Sequence, residues 1–416
     1  MRGEPLDIDP DIRRARTLPR WFYRSEHVHA WLSERLLARS WQSITHLSRI
    51  VPLDERNPEP GAWPFRFLAG SVDEPLLLTR DEHGGLHCLS NVCTHRAATV
   101  IAEPCKLAQL RCPYHGRCFA LDGRMLSMPE FDDALDFPSP SDDLPQLPLV
   151  GFGNFLFTAI DPAWPFAELV ELITELAGHL PWGDAALEPA GTAVYELDAN
   201  WLLYCDNYLE GFHTPHVHPG LAGAVDFDGY ETRTASWSSV RIAYPAKGRR
   251  LGEAAGQIAY PAVEGGIGAK GRRLAAGPGE AAGQIAMPKP GAPTVPAPAD
   301  ASANHRAPAA LYFFLFPNMM FNVYPWGMSL NVVEPLALER TRVRYEAWVW
   351  SAELYDTGAG AGLSVIERED QDIVARVQQG MRGRLYERGR YSPSREQGVH
   401  HFHRLLAREW NRECSE

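Results

Sequence analysis

Two Cys–His pairs close together constrain this chain more than any other feature. The pattern is Cys93-x-His95, then sixteen residues, then Cys112-x-x-His115. Thiolates and imidazoles at such spacing bind metal, and binding one metal group brings two short loops together. The flanking sequence is rich in short apolar runs broken by Gly and Pro, among them "FRFLAG", "EPLLLTR", "GGLHCLSNV" and "GFGNFLFTAI". That texture predicts an all-β module over 41–160 with the two loops at its tip. A structural zinc suits two Cys and two His. A typical finger, however, groups its cysteines as one pair and its histidines as another, whereas each half here carries one of each. The alternation suits a [2Fe–2S] cluster with one iron on two thiolates and the other on two imidazoles, which raises the reduction potential.

Seven cysteines is an odd count for a disulfide framework. Reduced thiols with metal duty in the cytoplasm fit better, with Cys88, Cys105, Cys118, Cys205 and Cys414 as small buried residues. A net charge of −12 argues against nucleic acid or an anionic membrane as partner. The start, "MRGEPLDIDPDIRRART", lacks the apolar core of a secretory signal, and no run approaches the roughly 18 apolar residues of a membrane span. The expectation is a cytoplasmic protein. At 416 residues the chain suits two domains.

"DPAWPFAELVELITELAGHLPW" shows helical periodicity and marks a boundary near 161. Beyond it, helices mix with long strands such as "ALYFFLFPNMMFNVYP" and "TRVRYEAWVW", predicting a twisted antiparallel sheet with helices against it, an α+β fold over 161–416. Within that range "AKGRRLGEAAGQIAYP" returns as "AKGRRLAAGPGEAAGQIAMP". The Gly, Ala and Pro content makes 245–308 a surface insertion with solvated arginines (Arg249, Arg250, Arg272, Arg273), partly disordered.

A second metal-binding stretch lies at 200–221, where Asp206, Glu210, His213, His216 and His218 crowd together. An iron that handles O2 takes two His and one carboxylate on one face, leaving positions open. On a regular helix His213 and His216 share a face, while His213 and His218 align poorly. Pro215 and Pro219 argue against a regular helix, so periodicity leaves the choice open. In "SVIEREDQDIVARVQQGM" helical geometry says more: Ile366, Ile373, Val374, Val377 and Met381 all fall within about 60° of Asp370. Asp372 points the opposite way and Glu369 lies about 100° off. Asp370 is thus an acid in an apolar stripe and needs a cation, either an arginine or a metal.

"CTHRAATV…CPYHGRCFALDGRM" resembles the motif of the Rieske non-haem iron oxygenases, which usually carry Gly where Ala97 stands and an aromatic where Arg117 stands. "DNYLEGFHTPHVH" and "EDQDIVARVQ" resemble the same family's iron-binding segments. The resemblance implies a Rieske [2Fe–2S] cluster on Cys93, His95, Cys112 and His115. It also implies a mononuclear Fe(II) on His213, His218 and Asp370, with His216 in a supporting or structural role. Glu210 would bridge the two centres, accepting hydrogen bonds from His213 and from His115 of a neighbouring subunit, so a head-to-tail homotrimer follows. Asp206 would only support. The fold implied is a helix-grip, START-like catalytic domain, with residues 1–40 packed on it. Electrons would come from NAD(P)H through a separate flavin or ferredoxin reductase, because no Gly-rich phosphate loop opens a helix here. They would pass through Glu210 to the iron, where O2 is activated to hydroxylate a small substrate.

"FFLFPNMMFNVYPWGMSLNVVEP" and "GRYSPSREQGVHHFHRLLA" resemble choline monooxygenase and related alkylammonium-oxidising members. Phe321, Tyr324 and Trp326 could then form a cation cage, against the plainer reading of strand core. His400, His401 and His403 read as exposed helix surface. The leading expectation is monooxygenation or N-demethylation of a quaternary or alkyl amine. Aromatic-ring cis-dioxygenation is the alternative, and electron transfer alone the remote one.

Overall fold

The computed structural model describes residues 4–50, 59–218, 226–245, 272–274 and 308–415. The chain forms two compact units. One is centred on Ala38–Ala163, and the other draws on Met1–Leu37, Trp164–Ala276 and Pro296–Glu416.

The first unit is all-β. Gly61–Phe67 pairs with Glu74–Arg80, which pairs with Leu86–Ser90, and the short strands Cys105–Lys106 and Gln146–Leu147 close a five-stranded sheet. Leu110–Arg111, Cys118–Phe119 and Met125–Ser127 form a separate three-stranded sheet. Its core gathers Ala62, Leu77, Leu89, Leu110 and Phe119, and Cys93 and Cys112 belong to that same cluster. The two loops are therefore anchored by their sulfurs in the apolar interior.

The second unit is built on an eight-stranded sheet of antiparallel pairs. Its strands are β1 (Ala186–Leu197), β2 (Glu231–Thr234), β3 (Ser238–Ala243), β4 (Arg272–Leu274), β5 (Ala310–Leu315), β6 (Met319–Tyr324), β7 (Gly327–Ala337) and β8 (Arg340–Val349), ordered β2-β3-β5-β6-β7-β8-β1-β4. Strand β6 is buried along its whole length, which is why it reads as a continuous apolar run rather than an alternating one. Arg241 lies opposite Tyr312, Tyr312 opposite Asn322, and Asn322 opposite Ser329. Side chains alternate along a strand, so this row shares one face with Tyr324 and Asn331, each two residues from a row member on its own strand, and with Tyr345, which lies opposite Asn331.

Four helices position the second candidate site: α1 (Trp201–Tyr208), α2 (Thr214–Val217), α3 (Leu363–Met381) and α4 (Gln397–Ser415). Helix α1 packs on α3 and β7. Its first five residues are buried, and Asn200 caps it by accepting from Leu202 N at 2.9 Å. The Asn200 amide also donates to the carbonyls of Tyr23 at 2.9 Å and Leu338 at 3.0 Å. The N-terminal segment packs within this unit: Trp21, Phe22 and Trp31 surround Trp410 of α4 at ring separations of 5.0–6.0 Å.

Two expectations change. Helix α3 buries Glu367, Gln371, Val374, Gln378 and Met381, while Val377 is exposed. Its buried face is thus rotated about 60° from the apolar stripe, because hydrogen-bonding partners on α1 receive its polar side chains. His400 and His403 are buried rather than on an exposed helix surface. His403 bonds Asp206 at 2.8 Å and Tyr391 Oη at 2.7 Å, and His400 bonds the Asp9 carbonyl at 2.8 Å. Within the expected insertion, Arg272–Leu274 forms β4 against Val194–Glu196 of β1, and the rest lies outside the described residues.

Replacing Asn200 with Ala removes the cap and both carbonyl bonds from a site only 1% exposed. The expected cost is about 2–4 kcal/mol, read as a lower urea midpoint by far-ultraviolet circular dichroism.

Candidate metal centres and the cavity beside them

The two loops of the β unit repeat one backbone design. Cys93 N donates to Ala98 O and Cys93 O accepts from Ala97 N; in the second loop Cys112 N donates to Arg117 O and Cys112 O accepts from Gly116 N. Ala97 (φ 55°) and Gly116 (φ 74°) hold equivalent left-handed positions. An alanine there costs on the order of 1 kcal/mol over glycine. Cys93 and Cys112 are buried, His95 is half-buried and His115 exposed, with 4.8 Å between the two ring centroids. Burial, and the Cys112 thiol beside it, raise Cys93 above the ordinary thiol range.

Arg117, only 2% exposed, clamps the loops together. Its Nη1 donates to Thr94 Oγ1 at 2.7 Å, between the two first-loop donors, and its Nη2 donates to Asp142 at 3.0 Å. Thr94 in turn donates to the Asp142 carbonyl at 2.6 Å. Paired sulfurs inside and paired imidazoles outside suit a two-iron cluster better than a single tetrahedral ion.

In the second unit His213, His218 and Asp370 are brought together, their ligand atoms all within 4.8 Å of one another. Asp370 Oδ1 is the hub: His218 Nε2 lies at 3.1 Å, His213 Nε2 at 3.4 Å, and Asn207 Nδ2 donates to it at 2.6 Å. Helical spacing could not predict this pairing, because α2 is a single turn. His218 leaves it at φ −118°, ψ 66° and swings back toward His213. His216 is exposed on α2, outside the trio.

Each imidazole is steadied through its other nitrogen. Glu210 meets His213 Nδ1 at 2.5 Å, and Glu369 meets His218 Nδ1 at 2.7 Å. Glu369 lies about 100° round the helix from Asp370, and that offset lets it reach behind His218. Carboxylates behind metal-binding histidines fix the ring and, once the ring is neutral, its tautomer, so that Nε2 is the nitrogen turned toward Asp370 and toward an ion held there. Two imidazoles and one carboxylate on one side are the donor set for non-haem Fe(II), so the residues present fit that group. Asp206 stands apart, accepting from Tyr23 Oη and pairing with His403, and so secures α1 to the N-terminal segment and α4.

Burial alone would depress His213, but hydrogen bonds to Asp370 and Glu210 carry it up to about 9. Burial works the other way on Asp370, yet His213 and His218 hold its carboxyl below the ordinary range. Glu367 is the acid that periodicity passed over. Burial, with Asp370 nearby, pushes it up to about 8, and it accepts from Tyr204 Oη at 2.7 Å.

A cavity opens beside the trio. Among the described residues, six tyrosines line it (Tyr204, Tyr208, Tyr230, Tyr312, Tyr324 and Tyr345), with Arg241, Asn322, Asn331 and Glu367. Of the expected cage, Tyr324 is present. Phe321 lies on the opposite face of β6, near Trp182, and Trp326 stacks behind Tyr324 at 5.1 Å. Strand alternation explains the first miss, and the turn after β6 the second.

The ring hydroxylating alpha subunit (catalytic domain) family matches residues 185–411, and the Rieske [2Fe-2S] domain family matches residues 66–147. The first match covers more than half of the chain, which therefore belongs to that family, the alpha subunits of Rieske oxygenases. It is an oxidoreductase of the class that incorporates O2, with a Rieske domain joined to a ring-hydroxylating catalytic domain. Among its relatives, chloroplastic choline monooxygenase of Arabidopsis thaliana is 26% identical over 96% of this chain and 85% of its own. The carnitine monooxygenase oxygenase subunit of Escherichia coli (strain K12) is 25% identical over 97% of this chain and 96% of its own. In fold, the quaternary ammonium Rieske monooxygenase CntA, solved with L-carnitine, superposes with a TM-score of 0.67 at 22% identity, covering 98% of this chain and 99% of its own. Naphthalene 1,2-dioxygenase from Rhodococcus sp. does so at 0.63 and 17% identity, covering 95% and 94%. No described helix is long and apolar enough to cross a membrane.

Glu367 generates a pH prediction for metal-free protein. Between its ordinary value of 4.5 and about 8 the unfolded chain ionises this group and the folded chain does not. Stability therefore falls as pH rises through that window, the contribution being complete below it. Denaturation across pH 4–9 should show the Glu367→Gln protein with a flatter profile.

Proposed function

We propose that this chain is the oxygenase component of a Rieske monooxygenase that hydroxylates or N-demethylates a quaternary or alkyl amine. The single observation that carries the substrate class is the tyrosine-lined cavity beside His213, His218 and Asp370. Tyrosine faces attract a desolvated ammonium, and several rings around one cation are the usual means of holding a group that cannot donate hydrogen bonds. The relatives named for choline and carnitine point the same way. A cis-dioxygenase for a plain arene is the weaker reading. Arg241 Nε and Asn331 Oδ1 belong to residues that line the cavity and have no hydrogen-bond partner among the described residues, and an arene would leave them so.

In this reading Cys93, His95, Cys112 and His115 hold the [2Fe–2S] cluster, and His213, His218 and Asp370 hold Fe(II). When bound, the cluster would supply single electrons and the iron a site for O2 activation. Glu210 and Glu369 keep both imidazoles in one tautomer, while Asn207 orients Asp370. Tyr204 and Glu367 line the cavity beside them and hydrogen-bond to each other. Glu210 is the bridge to His115 of a neighbouring subunit in a head-to-tail homotrimer. The exposure of His115 on its loop is consistent with such docking. The oxygenase would work in the cytoplasm, with a separate flavin or ferredoxin reductase delivering electrons from NAD(P)H.

Asp370→Ala should keep the visible Rieske spectrum and lose turnover, with iron content falling from about three towards two per chain. Full activity in that variant would remove Asp370 from the site. Glu210→Gln should retain both metals yet slow single-turnover product formation by roughly tenfold or more; unchanged rates would exclude the bridge.

A further inference from the structure

Among the described residues, Arg241 is the one Lys or Arg that lines the cavity. It projects from β3 between the rings of Tyr230 and Tyr312, with its guanidinium carbon 5.5 Å and 5.0 Å from their centroids. Its Nη1 donates to the Tyr208 carbonyl at 3.1 Å. The Nε–H is buried without a hydrogen-bond partner, and no carboxylate pairs with Arg241 among the described residues. Other inward-facing arginines here do find acids, as Arg344 finds Glu334 and Arg117 finds Asp142.

An ammonium ligand alone gives no account of this charge, since a fixed cation in the wall repels one. A ligand carrying both an ammonium and a carboxylate accounts for both ends. Tyrosine faces would take the positive head, and the guanidinium fork would take the carboxylate in the geometry that suits it. A single basic side chain matches a monoanion better than a phosphate. We infer that Arg241 anchors a substrate carboxylate, so that the substrate class is a zwitterionic N-methylated amino acid or betaine, not a simple amino alcohol. This rests on the alkylammonium reading of the cavity and narrows it.

The test is calorimetric binding to the metal-loaded protein of trimethylglycine, γ-butyrobetaine, choline and benzoate, for the native chain, Arg241→Met and Arg241→Lys. The native protein should bind at least one of the two betaines more tightly than choline by roughly tenfold or more. Arg241→Met should bring that ratio close to 1, and Arg241→Lys should restore part of it. A native ratio near 1 overturns the inference. So does an Arg241→Met protein that weakens betaine and choline equally, since Arg241 would then be a strut for Tyr230 and Tyr312. If no ammonium compound binds but benzoate does, and Arg241→Met abolishes it, the carboxylate anchor stands and the alkylammonium reading falls. Choline binding with no betaine binding leaves that reading intact and removes the anchor. If Arg241→Met fails to fold, the charge-conserving Arg241→Lys decides on the same ratio.

Discussion

One oxygen atom, Asp370 Oδ1, organises the second unit. It sits on α3, faces two imidazoles from the turn around α2, and receives the Asn207 amide from α1. Left unpaired, a carboxylate in such a place would be expelled or protonated. Here every neighbour is arranged for the charged form, and the three segments are drawn to one point. Glu210 and Glu369 extend the arrangement outward, so that the histidines are gripped on the side away from the hub.

That arrangement depends on an unusual amount of buried polarity. One face of the sheet carries Arg241, Tyr312, Asn322, Ser329, Asn331 and Tyr345, and α3 meets it with Glu367 and Gln371. Some of this polarity is satisfied internally: Tyr208 donates to Asn322, Asn322 to Ser329, and Tyr204 to Glu367. The atoms left over, Arg241 Nε and Asn331 Oδ1, lie in residues that line the cavity. Buried polar atoms without a partner cost folding free energy, and these two could be satisfied only by what enters the cavity.

The first unit solves a different problem with less polarity. Two sulfurs belong to the apolar core while the imidazoles stand toward solvent, and the two loops share a hydrogen-bond pattern despite sharing little sequence. Alanine replaces the expected glycine at position 97, and its left-handed backbone is kept in place by the Cys93 and Ala98 bonds around it. Where the family carries an aromatic, Arg117 supplies a hydrogen-bonded clamp between the loops and also lies 5.3 Å from the Phe137 ring.

The Cys–His spacing by itself singled out the two loops as candidate metal ligands, because four strong donors in 23 positions leave few alternatives. Alternating and continuous apolar runs likewise determined a β module followed by a sheet with helices. Local pattern could not decide which histidine joins His213, since that depends on the backbone angles with which His218 leaves a single helical turn. Nor could it decide the face of α3, where hydrogen bonds to α1 outweigh the apolar stripe and bring Glu367 inside. Phe321 and Tyr324 look equivalent along the chain, yet the pleat of β6 sends them to opposite faces. Glu369, Asp206 and Arg241 acquire their roles only from partners more than 100 residues away or across a sheet. Long-range packing alone could choose those partners.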